Sequence, residues 1–176
     1  MVIETLKSNR PVTFAAPWGW SLKLVTILMS VILLGVALTG AKVSAAENPV
    51  IFLSMVVLPL VLLISAMLFV IRGYEIREQH LAVKRMGWVC EINLSELVAA
   101  YTDPQAMARS IRLFGNGGLF CFAGLFVNKT LGRYRVFATD PGNAVVLKFS
   151  RRTVVVSPGN PEQFVSTISK FIRGNT

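Results

Sequence analysis

Charge disappears from the chain twice. Leu24 to Ala41 holds no charged residue over 18 positions, and Pro49 to Ile71 holds none over 23. A helix crossing a bilayer needs about 20 apolar residues, and it satisfies its own backbone groups there. Both segments therefore predict transmembrane helices. Pro59 falls inside the second and predicts a kink, because it lacks the N–H that an unbroken helix needs. Only Lys42–Asn48 joins the two, so they form an antiparallel hairpin.

Beyond residue 72 the period shortens. Tyr74–Arg77 and Leu81–Arg85 alternate apolar and polar residues about a turn at Glu78-Gln79-His80, and Trp88–Leu94 makes a third strand. Ser95–Ala100 fits a strand end or a helical turn, and Tyr101–Ala108 with its Asp103-Pro104 pair is a loop. Arg109–Phe114 and Leu119–Val127 read as a hairpin about Gly115-Asn116-Gly117-Gly118, since Asn-Gly favours tight hairpin turns. Arg133–Thr139 is a further strand, ended by Asp140-Pro141-Gly142-Asn143. Val145–Phe149 and Thr153–Val156 pair about Ser150-Arg151-Arg152. The last segment changes period again. Phe164, Val165, Ile168, Phe171 and Ile172 lie on one face of a helix over Pro161–Ile172. Asn160 caps it, Pro161 suits its first position, Gln163 sits where a capping-box partner belongs, and Gly174 follows its end.

The pattern thus divides the chain in three. Residues 1–21 form a juxtamembrane arm. Residues 22–71 form the transmembrane hairpin, with spans about 24–41 and 49–71. Residues 72–176 form a mainly-β domain of about seven antiparallel strands, a strongly bent sheet with the amphipathic helix across its open end.

Composition agrees, with 53% hydrophobic and 15% charged residues. Charge adds orientation. Lys7, Arg10 and Lys23 precede the first span; Arg72, Arg77, Lys84 and Arg85 follow the second; Lys42 is the one basic residue between them. The positive-inside rule then puts both termini and the β-domain in the cytoplasm. Trp18, Trp20 and Tyr74 stand where interfacial aromatic anchors are expected. A rival reading makes the first span a signal peptide cleaved near Ser44-Ala45-Ala46. The long leading region and long apolar run weigh against it, and the domain stays cytoplasmic either way.

Three stretches resemble the bacterial PH-domain families, membrane-anchored proteins with a pleckstrin-homology-like barrel. The first is Tyr74-Glu75-Ile76 through Leu81-Ala82-Val83-Lys84-Arg85, with Ile92-Asn93-Leu94-Ser95-Glu96-Leu97. The second is Gly124-Leu125-Phe126, then Leu131-Gly132-Arg133-Tyr134-Arg135-Val136-Phe137-Ala138-Thr139-Asp140. The third is Val154-Val155-Val156-Ser157-Pro158, then Asn160-Pro161-Glu162-Gln163-Phe164. The resemblance implies a seven-stranded barrel with a C-terminal helix, often beside membrane helices, in proteins generally not known as enzymes. The location it implies is a bacterial inner membrane.

Candidate chemistry is sparse. His80 is the only histidine and falls in a turn, the carboxylates are scattered, and no phosphate-binding glycine motif follows a strand. Cys90 and Cys121 lack metal-ligand spacing and read as two buried free thiols. No catalytic residue, metal or cofactor is expected. The residues from 72 onward carry 14 Lys and Arg against 7 Asp and Glu. Arg109 and Arg112 lie just before the Gly115–Gly118 turn, Lys129, Arg133 and Arg135 form a cluster, and Arg151 and Arg152 tip the last hairpin. These are the candidate contacts for an anionic headgroup, set against a plain solvated face. Aromatics interleaved with the basic residues on an exposed face are missing, so nucleic acid is not expected. Phe120, Phe122, Phe126, Tyr134, Phe137 and Phe149 read as core. The functional expectation is a membrane-tethered, non-enzymatic interaction or scaffold module that binds a protein partner or itself. Sensing of anionic lipid through the basic face is the alternative.

Overall fold

The computed structural model describes residues 11–44, 49–77 and 79–173, without the side chains of 43, 44 and 171–173. Lys7, Arg10, most of the interhelical link, Glu78 and Gly174 fall outside these limits, as do the side chains of Phe171 and Ile172.

Helix α1 runs Trp20–Ser44, longer at both ends than its uncharged stretch. The second apolar segment is one continuous helical path in three parts, α2 (Pro49–Phe52), a π-helical stretch (Leu53–Val57) and α3 (Leu58–Leu68). Pro59 accounts for the interruption. It cannot donate to Met55, and its ring crowds that turn. The chain responds by widening, so that the Leu58 N–H donates five residues back to Leu53 O. The wide turn packs on α1 at Gly40, where a Cβ would come within 2.5 Å of Met55 Cβ. Most apolar side chains on the outer faces of both helices are exposed, including Val31, Leu38, Val50 and Ile64. Both segments are long and apolar enough to cross a membrane.

The β-domain has two sheets. The first is ordered β1-β2-β3-β4 and is antiparallel throughout, with β1 Val12–Ala15, β2 Ile71–Arg77, β3 His80–Arg85 and β4 Val89–Asn93. The second is ordered β5-β9-β10-β8-β7-β6, with β5 Leu97–Thr102, β6 Ile111–Gly117, β7 Phe122–Asn128, β8 Gly132–Ala138, β9 Val145–Phe149 and β10 Thr153–Val156. Helix α4, Pro161–Arg173, ends the described chain.

Several expectations are corrected. The strands number ten among the described residues, and the sheets do not close into one barrel. The strands are not all antiparallel either, because β10 runs parallel to β8 with Val155 opposite Val136. Such a pair needs a crossover, and the short 3-10 turn Pro141–Asn143 with β9 supplies it. Of the two readings of Ser95–Ala100 the strand holds, as Leu97–Ala100 begin β5, and that strand runs on through Tyr101–Thr102, which were expected to be loop. Within the arm, Val12–Ala15 pair with Ile76–Gly73 as an outer strand of the first sheet, a strand the alternation of residues did not predict.

The main core fills the space between the sheets. Tyr74, Leu81, Val83, Leu147 and Val156 are buried there together with Phe164 and Ile168 of α4. The Phe164 ring meets Phe14 edge-on at 5.0 Å and Tyr74 at 6.2 Å. Asn160 caps the helix, its Oδ1 accepting from Gln163 N at 3.2 Å, and the two side-chain amides meet at 3.3 Å. A second cluster about Phe126, Tyr134, Val136 and Val155 lies on the other face of the larger sheet.

Candidate functional site: the junction of the apolar helices and the β-domain

Both apolar helices are bonded to the same end of the β-domain. At the end of α3 the backbone does not leave freely. Met86 N donates to Val70 O at 3.1 Å and Gly87 N to Leu68 O at 3.3 Å, so the β3–β4 turn continues the β2–β3 ladder onto the helix end. Phe69 packs edge-on against Trp88 at 4.8 Å. The Arg85 guanidinium lies 5.2–5.4 Å from the rings of Phe69, Trp88 and Phe137. A cation over several aromatic faces is held by their quadrupoles.

The start of α1 is held as firmly. Gly19 N donates to Thr139 O at 3.0 Å, and the Thr139 hydroxyl donates to Pro17 O at 2.8 Å. A Cβ at Gly19 would stand 2.4 Å from Asp140 Oδ1 and 3.1 Å from Asp140 Cα, so a larger residue there would push the Asp140 side chain aside. Deeper along α1, Thr26 is buried and bonds the tip of the β6–β7 hairpin. Its hydroxyl donates to Gly118 O at 3.2 Å and accepts from Phe120 N at 3.0 Å. Trp18 meets Phe120 edge-on at 6.1 Å.

A buried polar knot backs this junction. The Tyr74 hydroxyl donates to Phe137 O at 2.7 Å and accepts from Ser157 N at 3.1 Å. Ser157 Oγ accepts from Thr139 N at 2.7 Å and Asp140 N at 3.1 Å. Burial pushes the Tyr74 hydroxyl up to about 12, against the opposing pull of its bonds with Ser157. Tyr74 was expected at the membrane interface. It sits in the core instead, because its face of β2 points between the sheets. Cys121 at the hairpin tip is buried and its thiol is pushed up to about 11 by that burial, while Cys90 is half-buried.

On the outer face of the first sheet, Glu75 is only 1% exposed, with both Arg77 and Lys84 against its carboxylate. The hydrogen bonds from Arg77 and then Lys84 hold its pKa below the ordinary value, against the opposing effect of burial. Lys84 follows the second span, where a membrane-flanking cation is expected, but its charge is used on Glu75.

The candidate basic residues are spread along the larger sheet rather than gathered at the junction. Strand β7 runs from the junction end to the β7–β8 turn, which carries Lys129. Strand β8 returns from that far turn, so Arg133 is near it and Arg135 is midway. Strand β10 runs parallel to β8 from the Ser150–Arg152 turn, which puts Arg151 and Arg152 at the far end too. Seven residues of strand separate the ends, about 23 Å. Arg152 stacks on the Phe149 ring at 5.1 Å. Arg109 lies just before β6 with a positive φ of 52°, and Arg112 lies on β6 with Nη1 donating to Gly115 O at 3.2 Å.

The turn between β6 and β7 is not where Asn-Gly suggested. Gly115 to Gly117 belong to β6, and the bend follows at Gly118–Cys121. Gly115 and Gly124 face each other at positive φ of 104° and 144°, each too close to the opposite carbonyl to carry a Cβ. The Asn116 side chain ties the bend by accepting from Gly118 N and Leu119 N. These backbone N–H groups are thereby spent, which leaves no anion cradle at this loop. Beside it lies an open concavity of ≈ 430 Å³ lined by Met107, Ser110, Arg112, Phe122 and Phe126 among others.

His80 opens β3 on the exposed surface. No three His, Cys, Asp or Glu side chains converge among the described residues. No curated protein matches the chain. The model of one family, described as bacterial PH domain, matches residues 72–172, which is β2 through α4 and more than half of the chain. With that match over both sheets apart from β1, and over the closing helix, the chain belongs to the bacterial PH-domain family.

Proposed function

We propose that the two apolar helices cross the bacterial inner membrane as a hairpin and hold a PH-like domain at its cytoplasmic face, as a non-enzymatic interaction module. The two sheets with α4 between them form an open version of the PH barrel. The observation that carries the proposal is the junction. Leu68–Val70 and Pro17–Thr26 are both bonded to one end of the domain, so the arm and the domain share one side of the hairpin. The exposed apolar flanks of α1 and α3 suit lipid or the spans of other membrane proteins.

A tethered domain binds from a high local concentration, so weak contacts with a protein partner or a second copy suffice. The placement of the basic residues favours this over headgroup sensing. Lys129, Arg133, Arg151 and Arg152 lie at the end remote from the helices, where a bilayer crossed by those helices is out of reach.

Crosslinking of the full chain in native membranes, read by mass spectrometry, tests the reading. The expected result is a defined neighbour, or self-links between cytoplasmic surfaces. Links confined within single molecules, with no neighbour at any reagent length, would overturn it.

A further inference from the structure

Strand β6 is one of the two outer strands of the larger sheet, and among the described residues it pairs on one side only, with β7. Its side chains do not suit water. Ile111 is 68% exposed, Leu113 48% and Phe114 81%. A long, flat apolar edge invites pairing with another strand, and proteins blunt such edges with bulges and charges. Here the register shifts between Arg112 and Phe114, and Gly115 follows at φ 104°. The row of N–H and C=O groups is broken where the apolar side chains are largest. A strand of a second copy finds no regular ladder there. What remains is an apolar ridge preceded by Arg109 and interrupted by Arg112 between Ile111 and Leu113.

The position of that ridge is fixed by Thr26. Its hydroxyl holds Gly118 and Phe120, at the hairpin tip just beyond β6. Thr26 lies six residues into α1, about 9 Å along the helix from Trp20. Phe114 lies four residues before Gly118, about 13 Å of strand from it. The tip is therefore bonded to the apolar part of α1, and the ridge begins within reach of the helix's first turns.

We infer that the β6 edge contacts the same bilayer that α1 enters, with Phe114 and Leu113 set into the interface between headgroups and acyl chains and Ile111 shallower. The partner is the lipid surface. Amphipathic elements lie in this zone when they pair an apolar side with basic residues. The inference rests on the reading of α1 as a membrane span, and it makes the β6–β7 hairpin a second, interfacial foothold beside the helices.

The test is site-directed spin labelling of the full chain in a Cys90→Ser background, where the remaining thiol, Cys121, is fully buried. The protein is reconstituted in vesicles of phosphatidylethanolamine and phosphatidylglycerol. Labels go singly at Phe114→Cys, Ile111→Cys, Leu28→Cys on the exposed face of α1, and His80→Cys at the far end. Collisions with oxygen, which partitions into lipid, are compared with those of a water-soluble nickel chelate. Oxygen is expected to dominate at 28 and 114, less so at 111, and nickel at 80. Nickel dominance at 114 with oxygen dominance at 28 would overturn the inference and leave the membrane span standing. So would a label at 114 shielded from both reagents, which would mean a protein covers the ridge. Nickel dominance at 28 would overturn the span itself.

Discussion

Tyr74 shows how much one hydroxyl can organise. It satisfies Phe137 O and Ser157 N, two backbone groups that water cannot reach, and Ser157 carries the network on to Thr139 and Asp140. Tyr74→Phe keeps the ring and removes both bonds. Leaving a buried donor or acceptor unpaired costs about 1–3 kcal/mol, so chemical denaturation of the solubilised full chain should show a loss in that range. Glu75 gives the opposite charge logic. Its folded pKa is lowered by Arg77 and Lys84, so its contribution to stability is present above the ordinary carboxyl value of 4.5 and is lost as pH falls through the lower folded value. Stability measured against pH should decline on the acid side below 4.5, and Glu75→Gln should flatten that part of the curve. Neither role was legible in the sequence. Tyr74 follows the second span by three residues, where an interfacial tyrosine is an ordinary expectation. Only the strand's facing decides that it turns inward. The Glu75–Lys84 pairing depends on β2–β3 register, in which Gly73 and not Glu75 stands opposite Lys84.

At the level of elements, what was legible was local. Helix α4 announces itself by period and cap within thirteen residues, and it forms over the span its sequence indicates. The two apolar helices are equally local, and the π stretch before Pro59 follows from a missing N–H. Strands that depend on distant partners were hidden. Val12–Ala15 is four residues between two prolines, and its partner β2 lies some sixty positions on. The parallel β8–β10 pair has no sequence signature of its own. The β6–β7 hairpin was found but misplaced, because Asn116-Gly117 reads as a turn while Gly115 and Gly124 set a close backbone crossing within the ladder. This crossing makes a contrast that can be measured. A Cβ at Gly124 would lie 2.1 Å from Phe114 O, whereas Gly132, at φ 67°, has open space around it. Gly132→Ala should cost about 1–2 kcal/mol, the price of a left-handed residue. Gly124→Ala should cost more than that, since backbone must move as well. Thermal denaturation of the two variants side by side checks the order.

For the whole molecule, the family match covers β2 through α4, and the described chain adds what lies outside it. Strand β1 completes the first sheet, and the α1 junction ties the hairpin tip to a helix that reads as a membrane span. The candidate basic residues, grouped in the sequence by nearness along the chain, are separated by the fold, because β7, β8 and β10 carry most of them away from the helices. The proposed topology, a hairpin that crosses and returns with β1 and the PH-like domain together in the cytoplasm, is open to a direct measurement. Single cysteines at Val12, Ala45 and His80 in the Cys90→Ser chain, treated with a membrane-impermeant maleimide in spheroplasts before and after lysis, would decide it. The account predicts that Ala45→Cys reacts in intact spheroplasts while Val12→Cys and His80→Cys react only after lysis. Reaction of His80→Cys in intact spheroplasts, or Val12 and His80 found on opposite sides, would contradict it.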